Sequence, residues 1–293
     1  MKRMSTSEVI LNSFFYVILA LLIVICVYPI WYVIVASVSD GTYVNSGALI
    51  LLPVNMKFTA YEYAFSQKQL WVGYGNTIIY TLGGTLFGLA ISLPCGYALS
   101  RRDMEGRGLI MGLITFTMYF NGGLIPTYIV CSALHLTNTR LLLIFLGSVT
   151  AYNIILIRTF CSSSIPDELR EAAFIDGCSN TRFFFMFVIP LSKAIIAVIS
   201  LYIAVAHWNN YYNALVYTTD ASLQPLQLYL RHLLLMTTGT ESIMESDANA
   251  EVLRLVQTVR YAVIVLSALP IMCLYPFLQK YFVQGVMIGS IKG

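Results

Sequence analysis

The sequence predicts an all-α membrane protein of six transmembrane helices, forming a single domain over residues 1–293. Two observations lead there. Of the residues, 58% are hydrophobic and only 11% are charged, whereas a soluble domain carries about 25% charged residues. Six apolar runs, at 14–38, 75–99, 109–131, 141–160, 184–206 and 259–278, also recur from end to end. Each has the length of about 20 residues that crosses a bilayer as a helix. No stretch shows the ten-residue alternation of a barrel strand, so each run must satisfy its own backbone as a helix.

The first run follows Lys2 and Arg3, as a signal peptide would. It is too long for one and lacks a small-residue cleavage site, so it is expected to remain as a signal anchor. Pro29 within it predicts a kink. The segment 39–73 is polar and carries Tyr43, Phe58, Tyr61, Tyr63, Phe65 and Trp71, the composition of an interfacial belt. The second run carries Gly83, Gly84, Gly88 and Gly96, small residues that let helices approach closely.

The basic residues set the orientation. With the N-terminus inside, that side receives Lys2, Arg3, Arg101, Arg102, Arg107, Arg158, Arg170, Arg182, Lys193, Lys280 and Lys292. The other side keeps Lys57, Lys68, Arg140, Arg231, Arg254 and Arg260. The excess places both termini, and the loop between the fourth and fifth runs, in the cytoplasm.

Polar groups at mid-membrane face a bundle interior or a wet cavity. The third run holds Tyr119 and Asn121, and the fourth holds Tyr152 and Asn153. Tyrosine rings stack on the C–H face of a sugar and the amide both donates and accepts, so these four are candidates for a substrate path. Helix-to-helix hydrogen bonding is the alternative role.

Segment 161–183 is short, charged and rich in small residues. Ser164 is placed to cap a helix, with Pro166 in its first turn and Asp167 and Glu168 at the positive end of the dipole. Leu169, Ala172, Ala173 and Asp176 recur at helical spacing and make one face small, and Gly177 supplies a left-handed end. A second short helix is expected over 179–185, with alanines on the exposed side of the pair.

The run Glu171-Ala172-Ala173, Gly177, Phe187, Ile189, Pro190 resembles the EAA loop of ATP-binding-cassette importer permeases, in register and without a gap. The resemblance implies a type I importer permease fold, with this loop as the coupling helix that sits in a cleft of an ATPase subunit. Arg170, Glu171, Ala172, Ala173, Asp176 and Gly177 would then form the ATPase-coupling site. One departure is Lys193, where the family usually has proline; a weaker kink is expected there, with Lys193 snorkelling to the inner surface.

The segment 207–258 is the longest polar stretch and is assigned to the outside. Its opening Trp208-Asn209-Asn210-Tyr211 resembles the second permease subunit of maltose-type carbohydrate importers. There this loop reaches a sugar-binding protein, so these four residues are candidates for that contact. The tail from Gly285 to Gly293 resembles the same subunit, whose tail lies near the ATPase dimer. The stretch Asn121-Gly-Gly-Leu-Ile-Pro126 looks like the branch that handles fragments of complex polysaccharides, including pectin- and alginate-type uronates. A small neutral sugar is the alternative substrate. The resemblance further implies a homologous permease partner, two ATPase subunits that bind ATP and magnesium, and an extracytoplasmic sugar-binding protein, all assembled in membrane lipid.

The chain itself has no phosphate-binding Gly-x-x-x-x-Gly-Lys loop and no catalytic constellation, so no cofactor and no enzymatic activity are expected of it. Its net charge of +3 gives no reason to expect nucleic acid. The six cysteines show no metal-ligand spacing and read as small packing residues. His207 and His232 read as interfacial rather than metal-binding. A stand-alone secondary transporter is the reading from another class. It is disfavoured by the lack of a recognisable inverted repeat and by the scarcity of ionisable groups at mid-depth.

Overall fold

The computed structural model describes residues 6–45, 51–240 and 258–273. It divides into two compact units, residues 1–68 with 230–269, and residues 69–229 with 270–293. Helices dominate, and no strand occurs among the described residues.

In the first unit, α1 (Thr6–Ser37) is one continuous helix despite Pro29. It is apolar on all sides, as a lipid-facing rod must be, and Glu8 in its first turn complements the dipole. Its far end is tied down by the chain that follows. Ser39 Oγ accepts from Val54 N at 3.3 Å, the Asp40 amide donates to Val54 O at 3.1 Å, and the Lys57 amide donates to Val38 O at 2.9 Å. Lys57 Nζ lies 2.7 Å from the Asp40 carboxylate. That hydrogen bond, with one from Thr42 N, holds the Asp40 pKa down to about 2. A short helix α2 (Gly41–Asn45) and α3 (Thr59–Ser66) complete this cap. Val35, Ala36 and Val44 form its small core, with Tyr32 edge-on to Tyr261 at 6.1 Å.

The second unit is organised on α4 (Lys68–Ser100). At about 1.5 Å per residue this helix is roughly 50 Å long, more than the hydrocarbon core of a bilayer needs. Its buried positions include Gly73, Asn76, Thr77, Tyr80, Gly84, Gly88, Ser92 and Gly96, spaced by one, three or four. A Cβ on Gly88 would overlap the Ser148 carbonyl oxygen, and one on Gly96 would come within 2.5 Å of Ile157 Cγ2. Gly88 thus lets a neighbouring backbone touch the helix, and Gly96 makes room for a branched side chain.

The third apolar run is broken. Helices α5 (Arg107–Tyr119) and α6 (Leu124–Ala133) bend by 114° at residues 120–123. Gly123 sits at φ +84° with an extended ψ, a conformation open only to glycine, and its amide donates to Asn121 Oδ1 at 2.8 Å. The fourth run is broken too, into α7 (Arg140–Phe145) and α8 (Ala151–Ser164), with Gly147 left-handed between them. Thr139 and Thr150 cap the two pieces by accepting from Leu142 N and Asn153 N.

After α9 (Asp167–Ile175) and α10 (Asn180–Phe183) comes a π-helical turn, Phe184–Val188, then α11 (Ile189–Leu191) and α12 (Lys193–Trp208). The helical stretch before Ser192 and α12 meet at 80°. The weaker kink expected at Lys193 is therefore corrected. Ser192 leaves the helical region, and a π turn widens the helix just before it, so the bend forms without a second proline. Short α13 (Tyr212–Tyr217) and α14 (Leu226–Thr240) follow, and α15 (Thr258–Cys273) covers most of the sixth run.

Among the described residues, then, two helices are long and apolar enough to cross a membrane unbroken, and two bent pairs qualify if each counts as one. The helical membrane fold stands, but the third, fourth and fifth runs are not single rods. The acidic stretch within 241–257, the tail after Cys273 and the first five residues lie outside the described residues. All six cysteines are free.

The core of the second unit joins α4 (Leu93, Tyr97), α8 (Ile157, Phe160), α9 (Ala173) and α12 (Ile195, Ile199, Ile203) around Phe183. Close packing at Gly88 predicts a sharp contrast along one helix. Gly88→Val forces a branched side chain into the Ser148 backbone and should cost about 1–3 kcal/mol, as overpacked cores do. Gly75→Val enters open space and should change stability by less than about 0.5 kcal/mol. Thermal unfolding of the two variants in detergent measures both.

Candidate functional site

Two candidate sites emerge in the second unit, a short helix with one face set on the core and the other exposed, and a cavity walled by α4, α8 and α12.

The short helix is α9. Its start is set by Pro166 in extended conformation, with Asp167 and Glu168 in the first turn. Ser164 does not cap it; it is the last residue of α8, because Ile165 and Pro166 are both extended and separate the two helices. The end is a Schellman motif. Gly177 lies at φ +77°, its amide donates to Phe174 O at 3.0 Å, and the Cys178 amide donates to Ala173 O at 2.9 Å. Ser179 then caps α10 by accepting from Arg182 N.

The expectation that the alanines share the exposed side is corrected. Ala173 is 7% exposed and packs into the core beside Leu169, while Ala172 faces out. The outward surface carries Glu168, Glu171, Ala172, Ile175, Asp176 and Gly177, and Ile175 is 87% exposed. Arg170 turns inward. Its Nη1 lies 2.7 Å from Asp103 Oδ2, and its guanidinium sits 5.6 Å from the Phe174 ring centre. Asp103 also accepts from Arg101, first in effect and then with Arg170 holding its carboxyl far below the usual range. The predicted residues Arg170, Glu171, Ala172, Ala173, Asp176 and Gly177 thus all belong to one turn-and-a-half of helix and its cap. Asp103 was missed; it lies 67 positions from Arg170 in the chain, and no local pattern links them.

The cavity, about 880 Å³, is lined by Thr81 and Thr85 of α4, Thr150, Tyr152 and Asn153 at the start of α8, and Ser200, Tyr202 and Trp208 of α12, among others. None of the described lining residues is charged. The Tyr152 and Tyr202 rings lie 6.4 Å apart. The Thr81 and Thr85 hydroxyls are buried without a hydrogen-bond partner. Of the four path candidates, Tyr152 and Asn153 line this cavity. Tyr119 ends α5 and is 78% exposed, and Asn121 closes the turn onto Gly123. The spacing Thr81, Thr85 was the signal available in the sequence for the α4 wall.

The opening of the 207–258 segment is less exposed than expected. Trp208 is 7% exposed and lines the cavity. Asn209 Nδ2 donates back to Val205 O, and Asn210 Oδ1 accepts from Asn213 N to start α13. Tyr211 is 39% exposed. His207 is buried rather than interfacial: it lies over Gly84, where any Cβ would collide with its ring, and its Nε2 is 2.9 Å from Ser148 Oγ.

Beyond α13 the chain is laid along the end of α4. Asn76 Nδ2 donates to Ser222 O and Gln224 O, Tyr80 Oη donates to Leu223 O, and Thr77 Oγ1 accepts from Leu226 N. Asn138 Oδ1 accepts from Thr219 N and Asp220 N. This stretch is a braced platform.

An apolar helical unit with a largely apolar cavity between three of its helices and a short charged helix held on its surface fits a transporter's membrane subunit. Residues 84–288 match the family described as binding-protein-dependent transport system inner membrane component. The chain belongs to that family of permease subunits, which are not themselves catalytic. It is 38% identical over 278 residues to the polygalacturonan/rhamnogalacturonan transport system permease protein YtcP of Bacillus subtilis, covering 95% of this chain and 96% of that one. It is 36% identical to protein LplC of the same organism, over 92% and 90% of the two chains. Among solved structures, one chain in the crystal structure of a bacterial ABC transporter involved in the import of the acidic polysaccharide alginate matches with a TM-score of 0.87. That match has 34% sequence identity and covers 96% of this chain and all of the other.

The brace on α4 can be tested directly. Thr77→Val keeps the shape but leaves the buried Leu226 amide without its acceptor. A net hydrogen bond is worth about 1 kcal/mol, so exchange of that amide with deuterium should quicken by roughly fivefold while amides near Gly96 stay unchanged.

Proposed function

We propose that this chain is one permease half of an ATP-driven importer for polysaccharide-derived oligosaccharides in the cytoplasmic membrane of a bacterium. The observation that carries this reading is α9: a nine-residue helix with an acidic outward surface, an inward face keyed into the core, and a left-handed glycine that ends it. The charge distribution supports a cytoplasmic position for it, with the termini on the same side. In that position α9 docks into a cleft of an ATPase subunit, which binds ATP and magnesium. Glu171 and Asp176 supply charge, Ala172 keeps the surface low, and Gly177 permits the reversal. A homologous permease completes the path, and a sugar-binding protein delivers substrate on the opposite side, where Asn209, Tyr211 and the braced platform at 219–222 are available to it.

For the substrate, the support is the named specificity of two relatives, one for polygalacturonan and rhamnogalacturonan and one for alginate. Within this chain the cavity offers aromatic faces and a largely apolar wall, and none of its described lining residues carries a charge. It suits the sugar rings, with Tyr152 and Asn153 contributing, while the carboxylates of an acidic oligosaccharide are recognised by the second permease and the binding protein.

The coupling assignment is tested at Gly177. A Cβ there meets no atom within 4 Å, so the obstacle is conformational; a non-glycine residue at that φ costs about 1–2 kcal/mol. Gly177→Asp should leave the amount of chain in the membrane unchanged and reduce oligosaccharide uptake or ATPase co-purification by about tenfold. Normal uptake by that variant would refute the coupling role. Uptake abolished by a protonophore at constant ATP would instead establish a gradient-driven transporter.

A further inference from the structure

We propose that Asp103 is a positioning residue that locks α9 to the end of α4, so that a displacement of α9 is transmitted into that 33-residue helix; this rests on the importer reading. The carboxylate lies in the turn between α4 and α5 and grips two elements at once. Arg101 Nε donates to Oδ1 at 3.0 Å and Arg101 Nη2 donates to Oδ2, a two-point pairing, while Arg170 Nη1 of α9 donates to the same Oδ2 at 2.7 Å. Arg101 Nη1 extends the link to Asn180 Oδ1 of α10. The Phe174 ring lies against both guanidiniums, at 6.0 Å from Arg101 and 5.6 Å from Arg170.

The end of α4 is in turn fixed to its neighbours. Arg107 Nη1 donates to the Arg101 carbonyl and Arg158 Nε of α8 donates to the Leu99 carbonyl, each at 3.2 Å, where the helix dipole is negative. The side chains of Arg101 and Arg170 are each only 16% exposed. Without Asp103 two half-desolvated cations would share one aromatic ring with no anion between them, a repulsive arrangement that drives α9 away from α4. Arg102 Nε adds an outlying pair with Asp167 Oδ2 of α9 at 3.8 Å, but among the described residues Asp103 is the carboxylate that pairs with both Arg101 and Arg170. It makes no contact with the outward surface of α9, so its role differs from docking.

The test uses the complete transporter, with its partner permease, ATPases and binding protein, reconstituted in liposomes with an oligogalacturonide as probe. The quantities read are the ATPase content of the purified complex, its hydrolysis rate with and without liganded binding protein, and the oligosaccharide moved per ATP hydrolysed. Asp103→Asn keeps the size and removes the charge. Its expected result is a full complement of ATPase, continued hydrolysis, and transport per ATP reduced about tenfold, with Asp103→Glu recovering most of the loss. Arg170→Gln, which spares the Arg101 pair, must lower the same ratio, and it decides the matter if the Asp103→Asn chain does not assemble. A wild-type ratio in both Asp103→Asn and Arg170→Gln overturns the proposal, as does loss of the ATPase from the Asp103→Asn complex, which would make the node a docking element. Failure of the importer reading looks different, because the unmodified complex would then show no stimulation by the binding protein.

Discussion

Close packing of neighbouring segments against the glycines of α4 is the constraint on which the second unit depends. Lipid tails are as apolar as leucine side chains, so helices in a membrane gain little from burying apolar surface against each other. They gain from dense contact and from polar groups that find partners. Gly88 brings the Ser148 carbonyl onto α4, Gly96 brings Ile157 of α8 against it, and Gly84 makes room for the His207 ring of α12. Those three contacts determine where α8 and α12 stand. Everything functional follows from that placement: the cavity is the space left between the same three helices, and its wall is whatever side chains their geometry turns inward. One end of α4 braces the 218–226 stretch, and the turn that follows its other end carries Asp103, which holds α9 through Arg170. A single rod of about 50 Å therefore has a different job at each end and in the middle.

Much of this was legible in the chain, and the reasons for the exceptions are physical. The apolar runs and the small residues of α4 announce themselves by composition. Gly177 was readable because a helix end that reverses needs a left-handed residue, and few others supply it. The breaks in the third and fourth runs were not, although Gly123 and Gly147 sit there in plain view. Hydropathy averaged over a span-length window cannot see two bonds of unusual φ, and Asn121 in an apolar run looks the same whether it faces a solute or, as here, the amide two residues on. The π turn at Phe184–Val188 has no local signature at all, being a sequence of aromatics that would suit an ordinary helix. The same limit applied to the alanine pair. Adjacent helical residues point about 100° apart, so Ala172 and Ala173 had to part company, and only the position of the core decides which one is buried. Trp208 and His207 illustrate the converse: residues common at interfaces, drawn inside because a cavity and a glycine left space for them.

The character of α9 follows from its length. A helix of nine residues is too short to be stable in water by itself, and its outward face has little apolar surface to offer beyond Ile175. Its rigidity is borrowed from three anchors. The Schellman cap at Gly177 ties its end into the chain, Ala173 and Leu169 set it on the core beside Tyr97 and Phe183, and the carboxylate of Asp103 holds Arg170. The first of these constrains only the local backbone. The second resists pushing inward but little else, because apolar contact is non-directional. The third is directional and resists pulling and sliding, since hydrogen bonds to a carboxylate weaken steeply as their angles open. A force applied to the outward face is thus carried inward by packing against Ala173, and sideways or outward by the charged node. Both routes end at the close of α4, through Tyr97 in its last turn in one case and through Arg101, the residue that follows it, in the other. That convergence makes the end of α4, more than the short helix itself, the place where movement at this surface enters the membrane.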